Sequence, residues 1–312
     1  MLNLWIGIQF FLFVRYYETE GQSVHAARPA GVEGWLPIAS LMNLKVLLAT
    51  GRLPQIHPAG TLLLIAFLSI SLIFRKSFCG WLCPVGTISE YLWRFGRRLF
   101  GRNLRLPKFV DIPLRGVKYL LLALFVYVVA SMSTASIHEF LDSAYGVVDD
   151  VKMLNFFRHL ETTGFVTLGV LVVGSMVVKN FWCRYLCPYG ALMGLASFAS
   201  PLRIRRVPDL CIDCAKCAKA CPSSLPVDRL ITIQSAECTG CMLCVAACPA
   251  EGALFLSAPG RKKVPAWAVA SGIAMLFLGM HIYGVSTGHW TTKLPEAVYF
   301  QLVPHADEFQ HP

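Results

Sequence analysis

All twelve cysteines of this 312-residue chain stand in Cys-x2-Cys or Cys-x3-Cys-Pro spacings. Eight of them form one pattern written twice: Cys211, Cys214, Cys217 and Cys221 before Pro222, then Cys238, Cys241, Cys244 and Cys248 before Pro249. The copies lie 27 residues apart at all four positions. A four-iron, four-sulfide cube needs thiolates at four tetrahedral corners. Two-residue gaps let one short loop reach three of them, and the proline after the fourth cysteine turns the chain away. In such a run the fourth cysteine crosses to the other cluster. This gives Cys211, Cys214, Cys217 and Cys248 to one cube and Cys238, Cys241, Cys244 and Cys221 to the other. Zinc sites also open with Cys-x2-Cys, but zinc takes four ligands and has no use for the repeated third gap and paired prolines. The spacing predicts two [4Fe–4S] clusters and one-electron chemistry.

The other four cysteines belong to a second repeat. The run Phe78-Cys79-Gly80-Trp81-Leu82-Cys83-Pro84-Val85-Gly86 aligns with Trp182-Cys183-Arg184-Tyr185-Leu186-Cys187-Pro188-Tyr189-Gly190 at an offset of 104 residues. A four-residue separation sets both cysteines of a pair on one face of a helical turn. Two such hairpins facing each other would gather Cys79, Cys83, Cys183 and Cys187, which could ligate a third metal or iron–sulfur centre, bind copper, or form dithiol couples. Buried cysteines can also simply pack as small hydrophobes, although two identical pairs speak against that. Disulfides are uncommon in reducing compartments, which favours ligation.

The elements that position these cysteines are written in the composition: 55% hydrophobic and 15% charged residues make a membrane-class chain. Apolar stretches at 2–14, 60–74, 119–132, 165–178 and 264–283 predict about five transmembrane helices, two repeated hairpins plus one. Arg15 follows the first stretch and no basic residue precedes it, which favours an anchor helix over a signal peptide. The segment 35–50, with Pro37 and Lys45, suits an interfacial or re-entrant helix. The expected organisation is an α-helical membrane domain over 1–200, a small α+β two-cluster insert of βαβ type over 207–258, a last transmembrane helix over 264–284 and an external tail over 285–312.

Residues 75–118 and 179–263 carry 21 of the 28 Lys and Arg, so the positive-inside rule places both loops in the cytoplasm, and alternation places the carboxyl terminus outside. Every cysteine then faces the compartment in which thiols stay reduced. The net charge of +10 is thereby read as a bias toward anionic membrane lipid, not as a nucleic-acid signal. Lys216, Lys219 and Arg229, beside the cluster motifs, could attract an acidic redox partner or simply be solvated.

All eight histidines fall outside the predicted cytoplasmic loops. Quinol oxidation needs a proton acceptor and haem needs axial histidine. His281, inside the last apolar stretch, is the leading candidate for a quinol or haem site, joined by His138 and His159, with hydrogen-bonded packing or solvation as the plain alternative for each. Covalent haem attachment has no Cys-x-x-Cys-His here, although haem itself is not excluded.

Two inner-face Cys-x3-Cys-Pro motifs followed by two [4Fe–4S] motifs resemble the NapH/NosR/MauN group of membrane polyferredoxins, over about residues 1–285. The resemblance implies a subunit of the bacterial inner membrane that relays electrons between the quinone pool and a partner redox protein or reductase complex, with quinol dehydrogenase activity an open question. NosR-type members carry a large external flavin domain, and nothing in this sequence matches its Ser-Gly-Ala-Thr attachment motif. The core is similar also to the CcoG-type assembly protein. That likeness implies an alternative: a Cu(II) reductase or metal-handling factor acting through the Cys-x3-Cys-Pro motifs.

Overall fold

The computed structural model describes residues 2–311. Each apolar stretch folds as a helix: Leu2–Glu18, Pro58–Phe74, Lys108–Ser131, Thr162–Val177 and Ala266–Ser286. Among the described residues, Lys108–Ser131 and Ala266–Ser286 are long and apolar enough to cross a membrane. A third span counts if Asp149–Arg158 and Thr162–Val177, bent by 81° where they meet, form one broken crossing. Leu2–Glu18 and Pro58–Phe74 have 17 residues each. At 1.5 Å per residue that is about 25 Å, short of a hydrocarbon core of about 30 Å.

The chain divides into two compact units. The first comprises Met1–Ile65, Leu124–Val166 and Phe277–Pro312. Its core gathers Phe10, Phe13, Val14, Val46, Ile137, Leu141, Val148 and Val303, with Phe13 and Tyr299 edge to face at 5.4 Å. The apolar segment around residue 40 folds as the helix Pro37–Thr50, opened by Pro37 and closed by Gly51 at φ 71°. Proline suits a first turn, and the left-handed closing residue suits glycine. Lys45, out of place in so apolar a segment, donates to the carbonyls of Val129 (3.1 Å), Ala130 (2.8 Å) and Met132. It thereby satisfies carbonyls left without partners at the end of the Lys108–Ser131 helix.

The second unit comprises Ala66–Ala123 and Thr167–Leu276. It holds a four-stranded sheet of β1 (Arg203–Arg206), β2 (Thr232–Ile233), β3 (Leu254–Ser257) and β4 (Lys263–Val264), in the order β2-β1-β3-β4. Ile204 pairs with Ile233 on one side and Leu256 on the other, and all three are buried. Every pairing is antiparallel, which corrects the βαβ expectation. A parallel pair needs a crossover of a dozen or more residues, usually a helix. Here the segments between strands are taken up by the cysteine loops, whose helices, Lys216–Ala220 and Leu243–Ala246, are only one turn long.

Candidate iron–sulfur sites

The 27-residue repeat is conformational as well as chemical. Asp213 and Gly240 occupy equivalent positions and both have positive φ, 51° and 61°. Ala215 and Met242, two residues further on in each copy, have φ of 52° and 59°. Left-handed residues in such loops turn backbone N–H groups inward and make a nest for an anion. The sulfurs receive those donors: Leu243 and Val245 bond to Cys241 and Cys244, Ala218 to Cys217, and Leu225 to Cys221 at 3.4 Å.

Cys221, Cys238, Cys241 and Cys244 line one cavity, walled by Ile204, Leu225, Val227, Ile233 and Met242. Burial pushes the Cys241 thiol up to about 11 and raises Cys221 and Cys244 as well. Cys217 is raised first by burial, then by the nearby charges of Asp228 and Cys248. Thus Cys221 sits with the later motif and Cys248 lies near Cys217, the arrangement that crossed ligation requires. Soft thiolates, inward N–H donors and apolar walls suit an iron–sulfur cube, whose thiolate ligands are deprotonated by the metal itself.

The second set of cysteines is built differently from the expected single turn. Cys79 lies in the one-turn helix Ser77–Trp81, while Cys83 is extended (φ −69°, ψ 118°) and caps a new helix, Pro84–Phe100. In the repeat, Cys183 lies in the π-helical turn Trp182–Leu186 and Cys187 caps Pro188–Ala196. Each Cys-Pro pair is therefore a helix start, with proline at a position whose N–H needs no partner. The positive ends of two helices point at the cysteines, and the Gly190 N–H donates to Cys187 Sγ at 3.2 Å. The glycine shared by both motifs is explained at Gly86, where a Cβ would stand 2.3 Å from the Cys79 carbonyl oxygen.

The two copies come together. Phe78 of the first meets Tyr189 of the second at 5.9 Å, edge to face. Burial is the main cause that raises the Cys183 thiol, followed by the charges of Cys187, Cys79 and Cys83. Cys79 is pushed up to about 12, again chiefly by burial. Among the described residues no three His, Cys, Asp or Glu side chains close on a single metal ion. The two cysteine groups adjoin: a Cβ on Gly80 would lie 3.2 Å from Cys241 Cβ, and Trp81 Nε1 donates to the Gly240 carbonyl at 3.3 Å.

Several charges are buried around this contact. Lys118 Nζ donates to both carboxylate oxygens of Glu237, at 2.6 and 2.7 Å, and Glu237 directly precedes Cys238. Burial alone would raise the Glu237 carboxyl, but Lys76 and Lys118 outweigh it and hold the group below its ordinary range. Arg75, 1% exposed, donates to the carbonyls of Ser235 and Leu202. Lys179 donates to the carbonyls of Lys219 (2.8 Å) and Cys221 (3.4 Å). Thus Arg75, Lys76, Lys118 and Lys179, counted in the sequence as lipid-facing basic residues, are interior groups that brace the cysteine loops.

The histidine candidates are not brought together. His138 and His159 are exposed, the latter 3.6 Å from Asp307. His281 is half-buried with its ring edge-on to Trp290 at 4.5 Å. The buried histidine is His57, 1% exposed, in a network that sequence reading missed. Arg28 donates to Glu33 Oε1 (2.6 Å), Thr292 Oγ1 (3.1 Å) and Asp150 Oδ2 (3.0 and 2.7 Å), with its Nη2 3.0 Å from His57 Nδ1. His57 Nε2 lies 2.9 Å from the Gly146 carbonyl and 2.9 Å from Asp149 Oδ1. Burial would lower the imidazole and Arg28 opposes a second positive charge, but Asp149 and Glu33 prevail and lift it to about 10. Burial would raise Glu33, yet Arg28 and His57 hold it down at about 2.

Comparison with known proteins agrees with the motifs. A 4Fe-4S binding domain matches residues 56–103 and again 160–206, and a 4Fe-4S dicluster domain matches 203–262. The chain is 50% identical to YccM of Escherichia coli, named as a candidate electron transport protein, over 99% of this chain and 88% of that one. It is 24% identical to the ferredoxin-type protein NapH of Haemophilus influenzae, over 68% of this chain and 73% of NapH. With the regulatory protein NosR of Pseudomonas aeruginosa it shares 29% identity, over 68% of this chain and 30% of NosR. No solved structure matches.

Proposed function

The chain belongs to the membrane polyferredoxins of the NapH and NosR type, and on that footing we propose that it relays electrons between the quinone pool of the bacterial inner membrane and a partner oxidoreductase. Iron–sulfur cubes, when bound, supply one-electron transfer. Cys211, Cys214, Cys217 and Cys248 would hold one, Cys221, Cys238, Cys241 and Cys244 a second, and Cys79, Cys83, Cys183 and Cys187 a third. The chain's own part is to fix these thiolates on rigid turns, direct N–H groups at them and keep apolar walls around them. The observation that carries the reading is the contact of Gly80 and Trp81 with Cys241 and Gly240, which sets the membrane-motif cysteines beside the dicluster loop.

The bias of Lys and Arg toward 75–118 and 179–263 supports cytoplasmic clusters, an inner-membrane location and an external carboxyl terminus, although the buried basic residues weaken the count. For a quinol proton acceptor, His281 against Trp290 is the better candidate; His138 and His159 are solvated, and His57 has every contact engaged in its charge network. The test is anaerobic addition of a short-chain quinol to the purified protein in detergent. Bleaching of the iron–sulfur absorption in the native protein, slowed in His281→Ala, supports the relay. Full reduction by dithionite with no response to any quinol over hours would refute quinol as the donor.

A further inference from the structure

Two lysines are buried beside the membrane-motif cysteines: Lys76 is 3% exposed and Lys118 is fully buried. Lys118 is taken by Glu237, which grips Nζ with both oxygens. Lys76 stands among Cys79, Glu237, Cys187 and Cys183. The notch over Gly190 is bordered by both partners: a Cβ there would lie 3.4 Å from Cys187 Sγ and 3.6 Å from Lys76 Nζ. The other charges on this side are engaged, since Asp111 pairs with Arg115 and Arg184. Two buried ammonium groups thus share one carboxylate, and one positive charge is left over.

A buried cation is costly unless an anion faces it, and besides the Glu237 carboxylate the groups that act most on Lys76 are the sulfurs of Cys79, Cys187 and Cys183. Four neutral thiols would leave Lys76 uncompensated. Four thiolates around an iron–sulfur cube carry net negative charge and supply what is missing. We propose that Lys76 is the built-in counter-ion of the centre held by Cys79, Cys83, Cys183 and Cys187, and that its charge sets the reduction potential of that centre. Reduction adds an electron and deepens the negative charge, so a cation at close range in a water-poor site stabilises the reduced form more than the oxidised one. Lys76 is a positioning and tuning residue here, not a ligand. The inference rests on the ligand set proposed above.

The test is a potentiometric titration followed by EPR on the full chain, purified anaerobically in detergent, as native, Lys76→Met and Lys76→Arg. Met keeps the length and removes the charge; Arg keeps the charge. The expected result is a third signal whose midpoint moves to more negative potential in Lys76→Met and returns toward native in Lys76→Arg, with the two dicluster signals moving less. Loss of the third centre's iron in Lys76→Met with retention in Lys76→Arg supports the same role. A third midpoint indifferent to residue 76, or loss of the centre in both variants alike, overturns the inference while leaving the ligand set standing. A native protein with no third signal overturns the ligand set, and the inference with it.

Discussion

Replacing Arg28 removes the hub of the charge network in the first unit. The guanidinium is 10% exposed and bonds two carboxylates that are almost wholly buried, Glu33 at 0% and Asp150 at 2%. Breaking a buried ion pair by deleting one partner costs about 3–5 kcal/mol, because the other charge stays behind unpaired. In Arg28→Ala two carboxylates are stranded, and the Thr292 contact goes as well. The upper end applies, about 5 kcal/mol, which for a chain of this size lowers Tm by on the order of 10 °C. Arg28→Lys keeps the charge but cannot reproduce a fork that engages Nε, Nη1 and Nη2 together. It should lose about 1–3 kcal/mol. The assay is thermal unfolding in detergent followed by circular dichroism, with each variant compared at one pH and salt concentration. An Arg28→Ala protein melting within about 2 °C of native, less than 1 kcal/mol by the same conversion, would refute the reasoning.

The same network predicts a pH window. Glu33, held at about 2 against an ordinary 4.5, stabilises fully above the unfolded value and loses that contribution as pH falls toward 2. His57, lifted to about 10 from 6.5, stabilises fully below 6.5, and its contribution fades as pH rises through 10. Melting temperature against pH should therefore sag at alkaline pH, and His57→Gln should flatten that limb; an unchanged alkaline limb in the variant would exclude His57 as its source. Crossed ligation predicts that Cys248→Ala damages the cluster of Cys211, Cys214 and Cys217, while Cys221→Ala damages that of Cys238, Cys241 and Cys244. EPR should show one dicluster signal lost in each variant, and the opposite pairing would contradict the placement of Cys221 in the cavity with the later motif.

The cysteine motifs were legible because their signal is local: ligand spacing and a repeated glycine are written within a few residues, whereas the Cys-Pro helix starts were missed because a four-residue gap reads equally well as one helical turn. The helices could be read from uninterrupted apolar runs. What stayed hidden was assembled from residues far apart in sequence. Arg28, Glu33, His57, Asp149, Asp150 and Thr292 share no period or motif and meet only through tertiary packing. Lys76 and Lys118 read as ordinary members of a basic loop, and nothing in their neighbours announces that both are interior. The strand direction was missed for a related reason. Strands of two to four residues carry little pattern, and the loops between them are shaped by cysteines instead of by crossover helices.

The central claim is that the chain holds three iron–sulfur centres on twelve cysteines. Iron and acid-labile sulfide analysis of protein purified without exposure to oxygen tests it most directly. About twelve iron and twelve sulfide per chain are expected, given four of each per cube, falling to about eight in Cys83→Ser or Cys187→Ser with both dicluster EPR signals retained. About eight in the native protein, unchanged by either substitution, would contradict it.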